Sequence, residues 1–514
     1  MSDSHQMILI LDFGSQYTQL IARRIREAKV YCEIVPFNSD LSKFDSSKIA
    51  GYILSGGPAS VTDQDAPRLD KSFFENGTPV LGICYGMQLL ADLFGGRMVK
   101  SATREYGRAT FKTLNSSSLL KGVEKDSQVW MSHGDSIESL PEDFHLIGST
   151  DSLKTAAIAD EKRNIFGLQF HPEVYHTKEG GKILNNFLFD ICKLKGDWTT
   201  AAFLEETVGK IRRQVGDGQV VVGVSGGVDS TVAAVLISRA IGKNLHAVFV
   251  NNGLLRKNEF EEVKELLSHL KLILHAVDAS EMFLTRLKGV TDPEKKRKII
   301  GNTFIDVFEE QAEKIGGIDF LAQGTLYPDV IESVSFKGGP SVSIKSHHNV
   351  GGLKERMKLK LVEPLRELFK DEVRELGRSL GLSEMFIGRH PFPGPGLAVR
   401  ILGEVTVERC NILKEADAIF IEQLHHRKIY DDIWQAFAVL LPIKAVGVMG
   451  DSRTYENVLV LRAVTSVDGM TADWAHIDND ILADISDRII RQVSGVNRVV
   501  YDISSKPPAT IEWE

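Results

Sequence analysis

The sequence has few cysteines, no excess of basic charge and no long apolar run, and each shortage removes a class of protein. Its four cysteines, Cys32, Cys84, Cys192 and Cys410, form no C-x-x-C pair and are too sparse for a disulfide framework. A reducing compartment is therefore expected. No apolar run is long enough to span a bilayer, and the polar start Met1-Ser2-Asp3-Ser4-His5-Gln6-Met7 lacks the apolar core of a secretory signal. The expectation is a cytoplasmic protein with no membrane partner. Lys and Arg number 61 against 69 Asp and Glu, leaving a formal charge of −8, which argues against a nucleic-acid partner. There is no internal repeat and no low-complexity segment. What is present, 43% hydrophobic residues over 514 positions, gives room for about three domains with sizeable cores.

A further absence bears on chemistry. The apolar run Val220-Val221-Val222-Gly223-Val224 leads into Ser225-Gly226-Gly227-Val228-Asp229-Ser230 and then a helical pattern from Thr231 to Arg239. A buried strand turning through small residues into a helix presents free N–H groups and the positive end of the helix dipole to an anion. The lysine that reaches the β/γ-phosphates in G-x-x-x-x-G-K-[ST] is missing, so a different use of nucleotide is implied. S-G-G-x-D-S resembles the PP-loop of the ATP pyrophosphatases, which holds the departing pyrophosphate while a substrate oxygen is adenylylated. The candidate ATP-binding residues are Ser225, Gly226, Gly227, Val228, Asp229, Ser230 and Thr231. Asp229 is also the candidate contact for Mg²⁺, which prefers one or two carboxylates plus phosphate oxygens.

A second constellation lies upstream. Val80-Leu81-Gly82-Ile83-Cys84-Tyr85-Gly86-Met87-Gln88 reads as a strand, a tight turn and a helix start with Cys84 at the turn, a nucleophile elbow carrying sulfur. The helix dipole favours a thiolate there. Leu168-Gln169-Phe170-His171-Pro172-Glu173 supplies a base, His171, and a carboxylate, Glu173, to hold the imidazole in its working tautomer. Taken singly, such a cysteine is more often a packed small residue, and a lone His-Pro-Glu is usually a turn. Together they specify nucleophilic catalysis by Cys84, His171 and Glu173. This set resembles the class I glutamine amidotransferases. Ile53-Leu54-Ser55-Gly56-Gly57-Pro58 is similar to that family's oxyanion loop, with the Gly57 and Tyr85 N–H groups as donors. Gln88 and Ser132, His133 and Asp135 in Met131-Ser132-His133-Gly134-Asp135 match its glutamine-holding positions.

The two constellations in this order, followed by a further hundred residues, resemble the glutamine-hydrolysing GMP synthase family from end to end. Leu11-Asp12-Phe13-Gly14-Ser15-Gln16-Tyr17, Gly324-Thr325-Leu326-Tyr327-Pro328-Asp329, Arg389-His390-Pro391-Phe392-Pro393-Gly394 and the terminal Lys506-Pro507-Pro508-Ala509-Thr510-Ile511-Glu512-Trp513-Glu514 carry that likeness. The resemblance implies amination of xanthosine 5′-monophosphate (XMP) with ATP, Mg²⁺ and L-glutamine, and a homodimer. It assigns XMP recognition to Arg297, Gln435, Lys506, Thr510, Ile511 and Glu512. It makes Lys345–Gly352 and Met357–Lys360 a lid over the ATP site. Two positions depart from the family pattern: Asn251 stands where Asp is usual and loses its charge, and Lys354 stands where Pro is common, implying a looser hinge. Two other readings remain open on sequence: a PP-loop enzyme acting on tRNA, and a non-catalytic glutamine or nucleotide sensor. The first should show a basic surface or sulfur-handling cysteines, and the second should have lost Cys84, His171 or Asp229.

Alternation of short apolar strands with helical patterns gives an α/β fold class. Two doubly wound α/β domains, 1–197 and 198–393, should precede a smaller α+β domain, 394–514, that dimerises and closes the XMP site. The polar stretch 193–200 and the Pro/Gly-dense 391–396 mark the junctions. In the last domain strands are expected near 445–450, 458–464 and 498–502, with helices at about 407–424 and 476–493.

Overall fold

Short runs of four to six residues build the parallel strands of the first sheet. The computed structural model describes residues 5–333, 359–449, 452–466 and 471–514. The expected lid segments, apart from Leu359 and Lys360, and the Lys354 departure lie outside the described residues. By internal contacts the chain divides into two units, Met1–Phe203 with Pro328–Val342, and Leu204–Tyr327 with Ser343–Glu514.

In the first unit the strands are β1 (Met7–Asp12), β2 (Tyr31–Pro36), β3 (Ile49–Leu54), β4 (Val80–Ile83), β5 (Arg97–Thr113), β6 (Asp126–Ser139), β7 (His145–Thr150), β8 (Ala157–Asp160) and β9 (Ile165–Leu168). They form one sheet in the order β2-β1-β3-β4-β9-β8-β7-β5-β6. β1 to β4 and β9 run parallel. β4 is buried at every position, which is why it reads as an unbroken apolar run. Cys84 follows its carboxyl end, between β3 and β9, and the helix Tyr85–Leu93 packs back on the sheet. That packing is tight enough to demand glycine: a Cβ on Gly86 would sit 2.4 Å from the Leu54 carbonyl oxygen.

The second unit opens with a parallel sheet of β10 (Gln219–Gly223), β11 (Leu245–Asn251), β12 (Ile273–Asp278), β13 (Ile318–Ala322) and β14 (Lys360–Val362), in the order β12-β11-β10-β13-β14. The chain leaves β10 to one side and returns to the other, so β10 is the switch point at which such sheets bind ligands. The Ser225–Ser230 loop follows it. Further on, β15 (Gln435–Met449) and β16 (Ser452–Thr465) pair antiparallel, β17 (Asp473–Trp474) pairs antiparallel with β16, and β18 (Val496–Tyr501) pairs with it in parallel. The helices Val407–His426 and Asn479–Gln492 lie close to the expected ranges. β15 starts ten residues earlier than the sequence pattern suggested, because the apolar run before Pro442 joins the strand and the register shifts between Leu440 and Lys444 to absorb the break.

One apolar core runs from Val221 and Val248 through Leu397 and Ile401 to Leu459 and Ile485. The Pro/Gly stretch at 391–396 is therefore an internal bend of this unit, with the Leu397 N–H bonded to the Leu254 carbonyl at 2.8 Å.

The tight seat of the Tyr85–Leu93 helix makes a prediction. Gly86→Ala should push that helix off β3 and cost about 1–3 kcal/mol, the usual penalty of overpacking. A thermal melt checks this, and an unchanged midpoint would show that the helix can retreat freely.

Candidate functional site

The first unit places its nucleophile at a strained turn. Cys84 has φ 51° and ψ −107°, a left-handed conformation held by its N–H bond to the Leu168 carbonyl at 2.7 Å. Its Sγ lies 3.2 Å from His171 Nε2 and 3.0 Å from the Gln169 carbonyl oxygen. His171 Nδ1 lies 2.6 Å from Glu173 Oε1. All three side chains are buried, Glu173 completely. Burial opposes a charge on His171, yet Cys84 and Glu173 on either side of the ring raise its pKa well above the ordinary value. The raised value fits a ring whose Nδ1–H is donated to the Glu173 carboxylate.

Contacts unforeseen in the sequence hold this set. The Tyr17 ring meets the His171 ring edge-on at 4.7 Å, Arg24 Nε donates to the Glu173 carbonyl oxygen at 2.9 Å, and Thr177 Oγ1 donates to the His171 carbonyl oxygen at 2.6 Å. Tyr17 belongs to a quoted motif but had no role in it. Nothing local marks a ring 154 residues away as its partner.

Of the oxyanion candidates, Tyr85 follows Cys84 directly and Gly57 lies next to Gly56, which approaches Cys84. A Cβ on Gly56 would lie 3.6 Å from Cys84 Cβ, and one on Gly57 would lie 2.7 Å from the Phe13 carbonyl oxygen, so this loop presents bare backbone next to the nucleophile. Tyr85 occupies the first helical position. Its hydroxyl donates to the Pro67 carbonyl at 2.5 Å, and burial pushes its pKa up to about 12, so the side chain anchors while the N–H remains the useful group. Gln88 Nε2 donates to the Asp135 carbonyl oxygen at 3.1 Å and to Gln169 Oε1 at 3.2 Å, tying the helix to β6. Ser132 lies opposite Tyr106 in the β5–β6 register. His133 falls on the same strand, and its side chain lies outside the described residues.

In the second unit, Gly226 (φ 75°) turns the chain after β10 and the helix Val228–Ile241 begins at once. Ser230 Oγ accepts the Ser225 N–H at 3.2 Å and contacts the Gly227 carbonyl oxygen at 3.2 Å, which curls the loop about the helix start. Asp229 Oδ2 receives Lys370 Nζ at 3.2 Å, while its buried Oδ1 has no hydrogen-bond partner. Arg389 bonds the Gly226 carbonyl oxygen at 3.4 Å and Glu259 Oε1 at 2.9 Å. Sequence reasoning gave no role to Lys370 or Arg389; a cation from a distant helix or bend carries no signal in a loop motif. Asn251 at the end of β11 caps the Gly253 N–H with Oδ1 and donates to Asp278 Oδ2 at 3.2 Å. A carboxylate thus remains at the strand ends, on β12 rather than β11.

The XMP candidates are partly gathered. Gln435 Nε2 donates to Glu512 Oε1 at 2.7 Å, Thr510 Oγ1 to the Glu512 carbonyl oxygen at 2.5 Å, and Ile511 is buried with Phe437, Val439 and Val460. Lys506 pairs its backbone with Ala472. Arg297 is bonded to Glu294 on its own helix at 2.5 Å, and no direct contact with the other five is present among the described residues.

Residues 9–191 match the family Glutamine amidotransferase class-I, residues 199–303 match NAD synthase, and residues 422–513 match GMP synthase C terminal domain. A buried cysteine, histidine and glutamate at the carboxyl ends of parallel strands thus define the first unit as a class I glutamine amidotransferase. Over its whole length the chain is similar to proteins named GMP synthase (glutamine-hydrolyzing). The one from Maridesulfovibrio salexigens is 60% identical over 510 residues, covering 99% of both chains. That from Zymomonas mobilis is 58% identical, covering 99% of this chain and 98% of the relative. The Brachyspira hyodysenteriae protein is 57% identical, with both chains covered completely. The chain belongs to the glutamine-hydrolysing GMP synthase family. With that membership, the readings as a tRNA-modifying enzyme or a sensor fall away.

Glu173→Gln keeps the shape of the triad and removes the charge that holds the His171 proton. The His171 titration, followed by NMR, should move down in pH, since the raised value depends partly on that carboxylate. Glutamine hydrolysis should fall by about 10³–10⁴-fold, as when the orienting carboxylate of a triad becomes an amide. A variant with the parental titration and rate would remove Glu173 from the mechanism.

Proposed function

We propose that the chain makes GMP from XMP by ATP-dependent amination with ammonia released from glutamine. The observation that carries this reading is the coexistence, in one chain, of a preassembled Cys84–His171–Glu173 site and a lysine-free phosphate loop at a switch point. Cys84 attacks the glutamine carboxamide carbon, and the oxyanion forms against the Gly57 and Tyr85 N–H groups. His171 gives its proton to the departing ammonia, then takes one from the water that hydrolyses the thioester to glutamate. Gln88, Ser132, His133 and Asp135 hold the substrate.

In the ligase half, XMP O2 attacks the α-phosphorus of ATP, giving adenyl-XMP and pyrophosphate, and ammonia then displaces AMP at C2. Residues 225–231 receive the pyrophosphate, and Lys370 is placed to add a point charge. The unpartnered, buried Oδ1 of Asp229 fits a hard cation. No cluster of three or more His, Cys, Asp or Glu able to hold a metal occurs among the described residues, so Mg²⁺ would be held by Asp229 together with phosphate oxygens. When bound, it neutralises charge on the leaving group. Arg297, Gln435, Lys506, Thr510, Ile511 and Glu512 recognise XMP. On this reading 198–393 and 394–514 act as an ATP part and an XMP part built on one core.

We also assign a cytoplasmic location, supported by the sparseness of cysteine, four in 514 residues with no C-x-x-C pair, and a homodimer, supported by the exposed Ile443, Val446, Val448 and Tyr455 on β15 and β16. No helix among the described residues is long and apolar enough to cross a membrane. Sedimentation of the intact protein tests the assembly, and a monomer would refute it.

Separate sites predict separable losses. Cys84→Ala should abolish synthesis from glutamine and leave synthesis from ammonium largely intact. Asp229→Asn should suppress pyrophosphate release with either nitrogen source by about a hundredfold or more, the scale of losing one preorganised charge contact. Equal loss of both activities in the first variant, or parental pyrophosphate release in the second, would sink the assignment.

A further inference from the structure

Three cations of the second unit have no exposed side-chain surface at all: Lys296, Arg400 and Arg462. Burying a charge is costly unless it is paired and fully hydrogen-bonded. All three spend bonds on the C-terminal tail. Lys296 Nζ donates to the Glu514 carboxylate at 2.6 Å and to the carbonyl oxygens of Ala398 and Ile401 at 3.1 and 2.7 Å. An ammonium has three donors, so none is left for a ligand. Arg400 grips both oxygens of Glu512 through Nε (3.1 Å) and Nη2 (2.8 Å), with its plane 4.1 Å over the Phe437 ring. Arg462 donates to the carbonyl oxygens of Ser504, Thr510 and Ile511 at 2.7, 3.0 and 3.3 Å.

Attachment alone does not need these charges. The tail already has a backbone bridge between Ala472 and Lys506 and an apolar anchor in Ile511. Buried ion pairs are often no more stabilising than apolar residues of the same volume; their best-attested use is to fix register. Here the register concerns substrate groups. Lys296 is the sequence neighbour of Arg297, and its partner Glu514 lies two residues beyond Glu512.

We infer that Lys296, Arg400 and Arg462 are positioning residues for the nucleoside monophosphate substrate. They fix the C-terminal tail, and Lys296 holds the tail's last residue to the helix that carries Arg297. The two sides of the site thereby stay in register before substrate arrives. This rests on the reading that the tail binds XMP.

The test uses the full chain with Glu514→Gln, Arg400→Lys and Lys296→Met, and Lys506→Ala as the control for the tail itself. Ammonium-dependent synthesis is measured against XMP and ATP, with a thermal melt of each variant. Glu514→Gln and Arg400→Lys should raise the KM for XMP about tenfold, the effect of weakening one charged contact. The KM for ATP and the rate at saturating XMP should change by no more than about twofold on the same scale. Lys296→Met with Glu514→Gln should be no worse than the worse single change, since both remove one pair. If Lys296→Met does not fold, Glu514→Gln decides the matter. A raised KM for XMP in Lys506→Ala alone would overturn the positioning role and leave the tail reading standing. No effect in any variant would overturn both. A uniform rise in both KM values with a lowered melting midpoint would reduce the three cations to a structural brace and refute the inference.

Discussion

A helix that begins where a parallel strand ends leaves its first N–H groups without internal partners, and those groups must find water, a side chain or a ligand. Both reaction centres of this chain are built on that geometry. Cys84 sits where β4 gives way to the helix Tyr85–Leu93, with Gly56 close by, and the 225–230 loop joins β10 to the helix Val228–Ile241. The glycines follow from it. Gly86 has no room for a Cβ against Leu54, and Gly226 takes a positive φ that bends the loop toward the helix axis. Without that close approach the dipole and the free N–H groups would point at protein, and neither an oxyanion nor a phosphate could reach them.

The two centres differ in how they treat water. Cys84 and His171 are 5% and 4% exposed and Glu173 has no exposed surface, so neighbouring charges act across a poorly screened gap. That is why Cys84 and Glu173, on either side of the ring, can hold an extra proton on His171 against the cost of burial. Ser225 and Gly227, by contrast, are exposed. On the proposed role, a loop that admits a polyanion and then discharges pyrophosphate cannot be sealed in advance; it is held by its own Ser225–Ser230 contacts and by Lys370 and Arg389 at its edges.

Legibility in the sequence follows sequence distance. Strand, turn and helix around Cys84 and around Ser225 are local, and the periodicity fixed them nearly to the residue. His171 and Glu173 were legible because they are two apart at a strand end. The cross-chain partners were not. Lys370 meets Asp229 across 141 residues, Arg389 meets Gly226 across 163, and Arg400 meets Glu512 across 112. Such pairs leave no periodic trace, and Lys296 in Lys295-Lys296-Arg297-Lys298 reads as part of a solvated run although it is wholly buried. The Pro/Gly bend at 391–396 looked like a boundary for the same reason: local composition cannot reveal that Leu397 and Ile401 enter a core begun at Val221.

That shared core constrains how the ligase half can work. Interiors pack at crystal-like density and pass displacement on rather than absorb it, so Val221 and Val248, from the sheet behind the phosphate loop, are held in register with Leu459 and Leu461, which flank the strand bearing Gln435. A partly buried ionic chain follows the same line. Arg389 links the Gly226 carbonyl to Glu259, Glu259 accepts the Arg256 N–H, and Arg256 pairs with Asp417 and reaches the Ala436 carbonyl beside Gln435. On the proposed reading, the loop cannot shift far from the residues assigned to XMP without giving up the Arg389 contact with the Gly226 carbonyl, the first link of that chain. In-line attack of a purine oxygen on the α-phosphorus tolerates little misplacement. A common rigid frame for ATP and acceptor meets that demand more directly than two freely hinged domains would.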